Sequence, residues 1–378
     1  MNIAIVCYPT FGGSGVVATE LGLALSKRGH KIHFITYNLP VRLETLKYPN
    51  IYYHEVNVPD YPLFKYQPYE LALSSRLVDV VKSHSIDILH VHYAIPHAYA
   101  AYMAKQMLKD IGIQIPIVTT LHGTDITLVG SHPFYRPAVT FSINHSDRVT
   151  AVSESLKQDT LRLFELQKRI EVIPNFIDIE AIKSKGKPCE RSLLAEKEEK
   201  IITHISNFRP LKRVMDVIAI FEGILPRVKS KLMMVGEGPE KQRAVEYIHS
   251  KGLQKHVLFL GNSNEIDKVL CFSDLFLLPS EKESFGLSAL EAMAHGVPVI
   301  SSNAGGLPEV NLHGETGYLS EVGSTEDMIK NSLLLLQDQE LHATFKKQAK
   351  IHSERFNLDK IVHQYEQVYS DVLASIQY

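Results

Sequence analysis

Short apolar runs suited to buried strands alternate with stretches of helical period along nearly the whole chain. The pattern predicts strands at 3–8, 31–37, 86–92, 115–121, 148–152 and 170–173, with helices at 16–27, 69–84, 97–111 and 137–145 between them. Strand, helix and strand in repetition make βαβ units and a parallel sheet. After Pro174-Asn175-Phe176-Ile177-Asp178 and a polar stretch over 183–200, the rhythm restarts with strands at 201–206, 231–235, 256–260, 275–278, 297–301 and 318–319. Helical patterns at 325–337, 339–354 and 358–376 close the chain. We read two Rossmann-like, doubly wound domains, 1–175 and 176–357, with the segment 358–378 expected to pack back on the first. Ligands of such sheets sit beyond the carboxyl ends of the strands, so the expected site is an interdomain cleft lined by the loops that follow strands.

Composition narrows the partners. The 378 residues suffice for two cores, and 40 Lys+Arg against 42 Asp+Glu leave a net charge of −2. No global field draws the chain to nucleic acid or an anionic membrane, so any anion must be held locally. A hydrophobic fraction of 45% with 22% charged residues excludes a disordered or fibrous chain. No apolar run approaches the roughly 20 residues of a membrane span, and the first residues lack a secretory leader. Cys7, Cys189 and Cys271 are few, odd in number and widely spaced, which fits neither a disulfide framework nor a thiolate metal site and points to a reduced cytoplasmic compartment. His90 and His92 would share one strand face, but no third ligand is suggested nearby and no metal centre is expected. Self-association is left open.

The chemistry lies in the loops after strands. Pro9-Thr10-Phe11-Gly12-Gly13-Ser14-Gly15 precedes a helix and contains a form of the dinucleotide fingerprint. The second strand ends Ile35-Thr36-Tyr37-Asn38-Leu39, without the acid that would hold a ribose, so NAD is disfavoured. Glycines and a serine before a helix suit an anion against backbone N–H groups, or simply a tight turn. In Pro279-Ser280-Glu281-Lys282-Glu283-Ser284-Phe285-Gly286-Leu287, Gly286 opens a helix whose N-terminus favours a phosphate. Glu291 follows Glu283 by eight residues, about 12 Å if helical, too far to share a proton but suited to hydroxyls at two ends of one elongated ligand. The loop Ser206-Asn207-Phe208-Arg209-Pro210-Leu211-Lys212-Arg213 brings three cations to a strand end, where a diphosphate is their natural partner. No Asp-x-Asp pair occurs, which argues against a metal-held diphosphate. Gly236 and Asn262 lie in loops with the small residues that a base or ribose needs. In the first domain, Thr119-Thr120-Leu121-His122-Gly123 ends a strand, and Lys65, Tyr93 and Arg136 lie in other loops on that side.

Together the glycine loop, His122-Gly123, the cationic loop and the Glu-x7-Glu segment resemble the retaining nucleotide-sugar glycosyltransferases of family 4, over essentially the whole chain. The resemblance implies the α/β GT-B fold and a hexosyltransferase without cofactor or metal. It implies that Glu283 touches donor-sugar hydroxyls, that Glu291 holds the ribose, and that Lys212 neutralises the diphosphate. The family arginine would sit where this chain has Asn207, and Arg209 is the shifted substitute. His122, Glu283, Arg209 and Lys212 are then the catalytic set. Gly15, Asn207, Gly236, Asn262, Ser284, Phe285, Gly286, Leu287 and Glu291 would form the donor site. Phe11 to Glu20, His90-Val91-His92-Tyr93-Ala94 and Ser206 to Pro210 are similar to the branch that joins N-acetylglucosamine to L-malate in bacillithiol biosynthesis. This implies UDP-GlcNAc and L-malate as partners, with Gly13, Ser14, Lys65, Tyr93, Thr120 and Arg136 as acceptor contacts. Alternatives are a family 4 enzyme with a lipid, glycan or inositol phosphate acceptor, a nucleotide-sugar epimerase, or a non-catalytic UDP-sugar sensor.

Overall fold

The computed structural model describes all residues except 11, 12, 42, 44–47, 59, 61, 185–190, 192–194, 197, 264 and 376–378. Phe11, Gly12 and Cys189, and part of the polar stretch over 183–200, thus lie outside the described residues. Contacts divide the chain into two compact units, Met1–Phe176 with Leu358–Tyr378, and Ile177–Asn357.

The first unit holds a seven-stranded sheet built from β1 (Asn2–Val6), β2 (Lys31–Thr36), β3 (Ile51–Glu55), β4 (Ile88–His92), β5 (Ile117–Leu121), β6 (Arg148–Ala151) and β7 (Ile170–Val172), in the order β3-β2-β1-β4-β5-β6-β7. All pairs are parallel, with Ile3 opposite both Ile32 and Ile88. Helix α1 (Gly13–Lys27) links β1 to β2, and α2 (Tyr69–His84) links β3 to β4. Ala4, Val6, Leu89 and Val91 pack with Leu73, Leu77 and Val81 of α2 and with Ala100, Ala101 and Ala104 of the next helix, Tyr99–Lys109. Strands covered on both faces are rich in apolar residues, which is why β1 stands out in the sequence and why β4 and β5 do so despite their buried His90, His92, Thr119 and Thr120. The last helix, Leu358–Ala374, belongs to this unit, where the Glu366 carboxylate accepts from Arg28 Nε and Nη2, each at 2.8 Å, and lies 3.0 Å from His30 Nε2.

The second unit repeats the plan with β8 (Lys200–Ile205), β9 (Ser230–Val235), β10 (Val257–Gly261), β11 (Leu275–Leu278), β12 (Val299–Ser302) and β13 (Gly317–Ser320), in the order β10-β9-β8-β11-β12-β13, again parallel. Its core joins Ile202, Leu232, Met234, Leu275 and Leu277 to Val217, Phe221 and Ile224 of the helix Val214–Ile224. In both units the strand order reverses beside the first strand, between β1 and β4 and between β8 and β11.

Three expectations change. The pattern passed over β3, an edge strand whose Tyr52, Tyr53 and His54 alternate too weakly in polarity to stand out, and whose side chains are partly exposed. It also passed over the helix Glu154–Leu163, although Ser153 caps it by accepting from Leu156 N–H at 3.0 Å. Finally, the cysteines are not all unpaired: Cys7 is free and buried, but Cys271 is disulfide-bonded. Spacing along a chain says nothing of distance across it. Among the described residues no helix is long and apolar enough to cross a membrane.

Candidate functional site

At the β1/β4 switch point the chain leaves β1 into α1 and leaves β4 at Tyr93. Gly13, Ser14 and Gly15 form the first turn of α1, and Ser14 Oγ lies 2.5 Å from Tyr93 Oη. Tyr93 carries a φ of 89°, uncommon for a residue with a side chain, and its N–H donates to Thr120 O at 2.9 Å. Its ring packs edgewise on Tyr8 and tilts against His122 at 5.1 Å.

His122 follows β5 with Nε2 2.8 Å from His92 Nδ1. Burial, then the neighbouring His97, lowers its pKa to about 3, so the imidazole is neutral near pH 7 and can exchange hydrogen bonds but carries no charge. The turn beyond it is held by Asp125, whose carboxylate accepts from Ala94 N–H at 2.8 Å and Gly123 N–H at 3.0 Å. Burial raises that carboxyl to about 6 in spite of those donors. Nothing in the sequence pattern assigned Asp125 a role; a carboxylate two residues after a strand-end glycine is a signal for such a backbone clasp.

Thr120 differs from expectation. It is fully buried, with Oγ1 at 2.8 Å from both His90 Nε2 and Thr150 Oγ1, while His90 Nδ1 meets Tyr369 Oη at 2.7 Å. The hydroxyl is committed to the interior, because at that position β5 turns it under the sheet's covering helices. Gly15 also has a local reason to be glycine: a Cβ there would stand 2.5 Å from Tyr8 O. Lys65 is exposed in the β3 to α2 connection, with its ammonium over the Tyr66 ring, and Arg136 is exposed at the start of the helix Arg136–Asn144, over Phe164. Neither is drawn into the Ser14, Tyr93 and His122 group.

The second unit presents a matching group at its β8/β11 switch point. His204 on β8 donates from Nδ1 to Leu277 O at 2.9 Å, which leaves Nε2, in the neutral ring, to accept from Ser206 Oγ at 2.8 Å. Burial lowers His204 to about 4, which keeps that ring neutral. Ser206 Oγ in turn receives the Phe208 N–H at 3.3 Å. Phe208 is fully buried at a φ of 38°, so the flanking Asn207 and Arg209 are turned outward and are exposed. Pro210–Lys212 forms one 3₁₀ turn, and Lys212 pairs with Glu283 Oε1. Their side chains are only 17% and 11% exposed, so the pair is shielded from bulk water. Ser280 Oγ donates to the same Glu283 oxygen at 3.0 Å, and Glu281 N–H donates to Leu211 O at 2.8 Å, lacing the two loops together.

Gly286 is the N-cap of the helix Leu287–Ala294 at a φ of 96°. A Cβ there would meet Leu307 Cδ2 at 2.6 Å. Ser284 and Leu287 flank it half-buried, and Glu291 lies on the same helix. The Phe285 side chain is buried edgewise against Phe356 at 5.6 Å, so it packs the loop from beneath. The glycine pair after β12 escaped the sequence reading: Gly306 N–H donates to Glu283 O at 2.9 Å, and a Cβ on Gly305, at a φ of 56°, would stand 1.9 Å from the same oxygen. Two adjacent glycines at the end of a strand were the available signal. Gly236 faces Ser206 O across a gap that would leave a Cβ only 1.8 Å away, and Asn262 is exposed after β10.

Residues 11–181 match Glycosyltransferase Family 4, and residues 189–352 match Glycosyl transferases group 1. The N-acetyl-alpha-D-glucosaminyl L-malate synthase of Bacillus anthracis is 50% identical over 375 residues, covering 99% of this chain and 97% of the relative. Among solved structures, sucrose-phosphate synthase from Thermosynechococcus elongatus superposes with a TM-score of 0.80 at 19% identity, covering 99% of both chains. Anabaena Alr3699/HepE in complex with UDP-glucose gives 0.79 at 22% identity, covering 98% of this chain and 100% of that one. The two parallel sheets, each with its polar group at the switch point, are those of the GT-B fold, and the chain is a glycosyltransferase belonging to family 4.

Proposed function

We propose that the protein transfers N-acetylglucosamine from UDP-GlcNAc to the hydroxyl of L-malate, with retention at the anomeric carbon and without a metal. The observation that carries the transferred sugar and the acceptor is the 50% identity, over nearly all of both chains, to a synthase named for that product.

The residues give the reading a mechanism. Arg209, Lys212 and the N–H groups at the start of Leu287–Ala294 would receive the diphosphate, with Glu291 further along that helix at the ribose. As the diphosphate engages Lys212, Glu283 exchanges its ammonium partner for sugar hydroxyls. The bond from the anomeric carbon to the phosphate oxygen breaks and the bond to the malate oxygen forms on the same face. The malate hydroxyl proton passes to the departing phosphate. Charge developing on UDP is stabilised by groups already in place, an effect generally worth several kcal/mol. Neutral His122 would fix the sugar through a hydrogen bond. Ser14, Tyr93 and the first N–H groups of α1, with Gly13 at its start, would hold a malate carboxylate, and the exposed cations Lys65 and Arg136 would favour its approach.

Purified protein is incubated with UDP-GlcNAc, with and without L-malate and with a chelator, while UDP release and product mass are followed. Malate-dependent, chelator-resistant release with a GlcNAc-malate mass is expected. Release that ignores malate, or a product of another mass, would overturn the assignment.

A further inference from the structure

At the β2–β3 edge of the first sheet three histidines far apart in sequence come together. His33 on β2, His54 on β3 and His84 in the last turn of α2 offer ring nitrogens that all lie within 4.8 Å of one another. Because Tyr52 pairs with His33 and Ile35 with His54, residues 33 and 54 fall on one face of the sheet as diagonal neighbours. His33 Nδ1 and His54 Nε2 stand 2.9 Å apart, and the His84 ring centroid is 4.9 Å from each of theirs. Tyr52 stacks on His33 at 4.6 Å and fixes that ring. His33 is buried while the other two are half-buried, so the cluster is anchored at the bottom and reachable from solvent.

We propose that His33, His54 and His84 bind one borderline divalent cation of the zinc class, at a site separate from the transfer chemistry. Imidazole is the preferred protein ligand for such ions, and three imidazoles leave a fourth position for water. With metal to nitrogen bonds of about 2.0–2.1 Å, two ligands of a tetrahedral centre lie about 3.4 Å apart, so the 2.9 Å pair opens by a few tenths of an ångström as the metal replaces its shared hydrogen. Burial and the neighbouring rings hold His33 and His54 at about 4, so both lone pairs are available at neutral pH. Lys31 and Arg76 add positive potential, Lys31 at His33 and Arg76 at His54. That weighs against hard ions held by charge alone, such as magnesium or calcium, and leaves those that bond to nitrogen. The three ligands come from β2, β3 and α2, whereas the Ser14, Tyr93 and His122 group follows β1, β4 and β5.

The test uses the full-length protein, stripped with chelator and titrated with zinc by calorimetry, beside His54→Gln, His84→Gln and the double variant. One equivalent per chain is expected, weakened at least tenfold in each single variant, with a zinc-dependent rise in Tm that the double variant lacks. Circular dichroism and GlcNAc transfer in chelator should stay at wild-type levels in all three. Copper(II) loaded on wild-type protein gives an electron paramagnetic resonance readout that does not depend on any variant folding: nitrogen couplings from three imidazoles are expected. No saturable uptake, uptake undiminished in the double variant, or fewer than three nitrogen couplings overturns the site.

Discussion

The Lys212 and Glu283 pair should oppose stability to activity, and a double-mutant cycle measures both. With side chains 17% and 11% exposed, the charges sit largely out of water. At an effective dielectric near 20 a contact pair is worth about 4 kcal/mol of Coulomb energy, and desolvation of both ions offsets much of it. Lys212→Met leaves the Glu283 carboxylate with Ser280 Oγ as its remaining described side-chain donor, so the loss falls below the roughly 3–5 kcal/mol of a fully buried orphan, at about 2 kcal/mol. Glu283→Gln keeps an oxygen for Ser280 but strands the ammonium at similar cost. The double variant restores neutrality, so the singles should overlap by a coupling of about 1–2 kcal/mol. For a unit of this size each kcal/mol moves Tm by about 2–4 °C, so each single variant should melt about 4–8 °C lower and the double variant should recover part of that. Transfer, followed as UDP release, should fall by orders of magnitude in all three. A coupling under about 0.5 kcal/mol would show that the pair does not hold the two loops together, and near-normal turnover in either single variant would sink the donor-site assignment.

Two further outcomes test the surroundings. Gly305→Ala places a methyl 1.9 Å from Glu283 O at a left-handed φ, so the 283 loop must move; UDP binding by calorimetry should weaken at least tenfold while circular dichroism stays unchanged, and unaltered binding would refute the packing argument. Glu366 is held at about 2 first by its hydrogen bonds to Arg28, below its ordinary 4.5, so its contribution is fully present above pH 4.5 and fades as pH falls towards 2. Glu366→Gln should therefore lower Tm at pH 7, with a gap that closes in acid; a gap independent of pH would contradict the assignment.

The legible parts of this protein share one property. Strands β1 and β11 are buried on both faces and read as apolar runs, and β4, β5 and β8 keep enough Ile, Leu and Val around their buried His and Thr to be visible as strands. The edge strand β3, with one side in solvent, had no such constraint and was missed. The same division holds at the site. Lys212, Glu283, Gly286 and His122 stand out as candidates in the sequence because strand ends and helix starts concentrate polar chemistry in doubly wound sheets. Asp125, Ser280 and the Gly305-Gly306 pair do not, since their importance lies in what they touch.

By itself the sequence determined that two βαβ series fold in succession and that their loops carry cations, acids and glycines fit for a nucleotide sugar. Such features depend on local period and residue type, which neighbouring positions express. Only the tertiary structure decided that Lys212 meets Glu283, that the Thr120 hydroxyl turns inward to His90, and that His33, His54 and His84 converge. Those contacts join positions as much as 71 residues apart, and strand order and register, which no local pattern encodes, bring them within bonding distance.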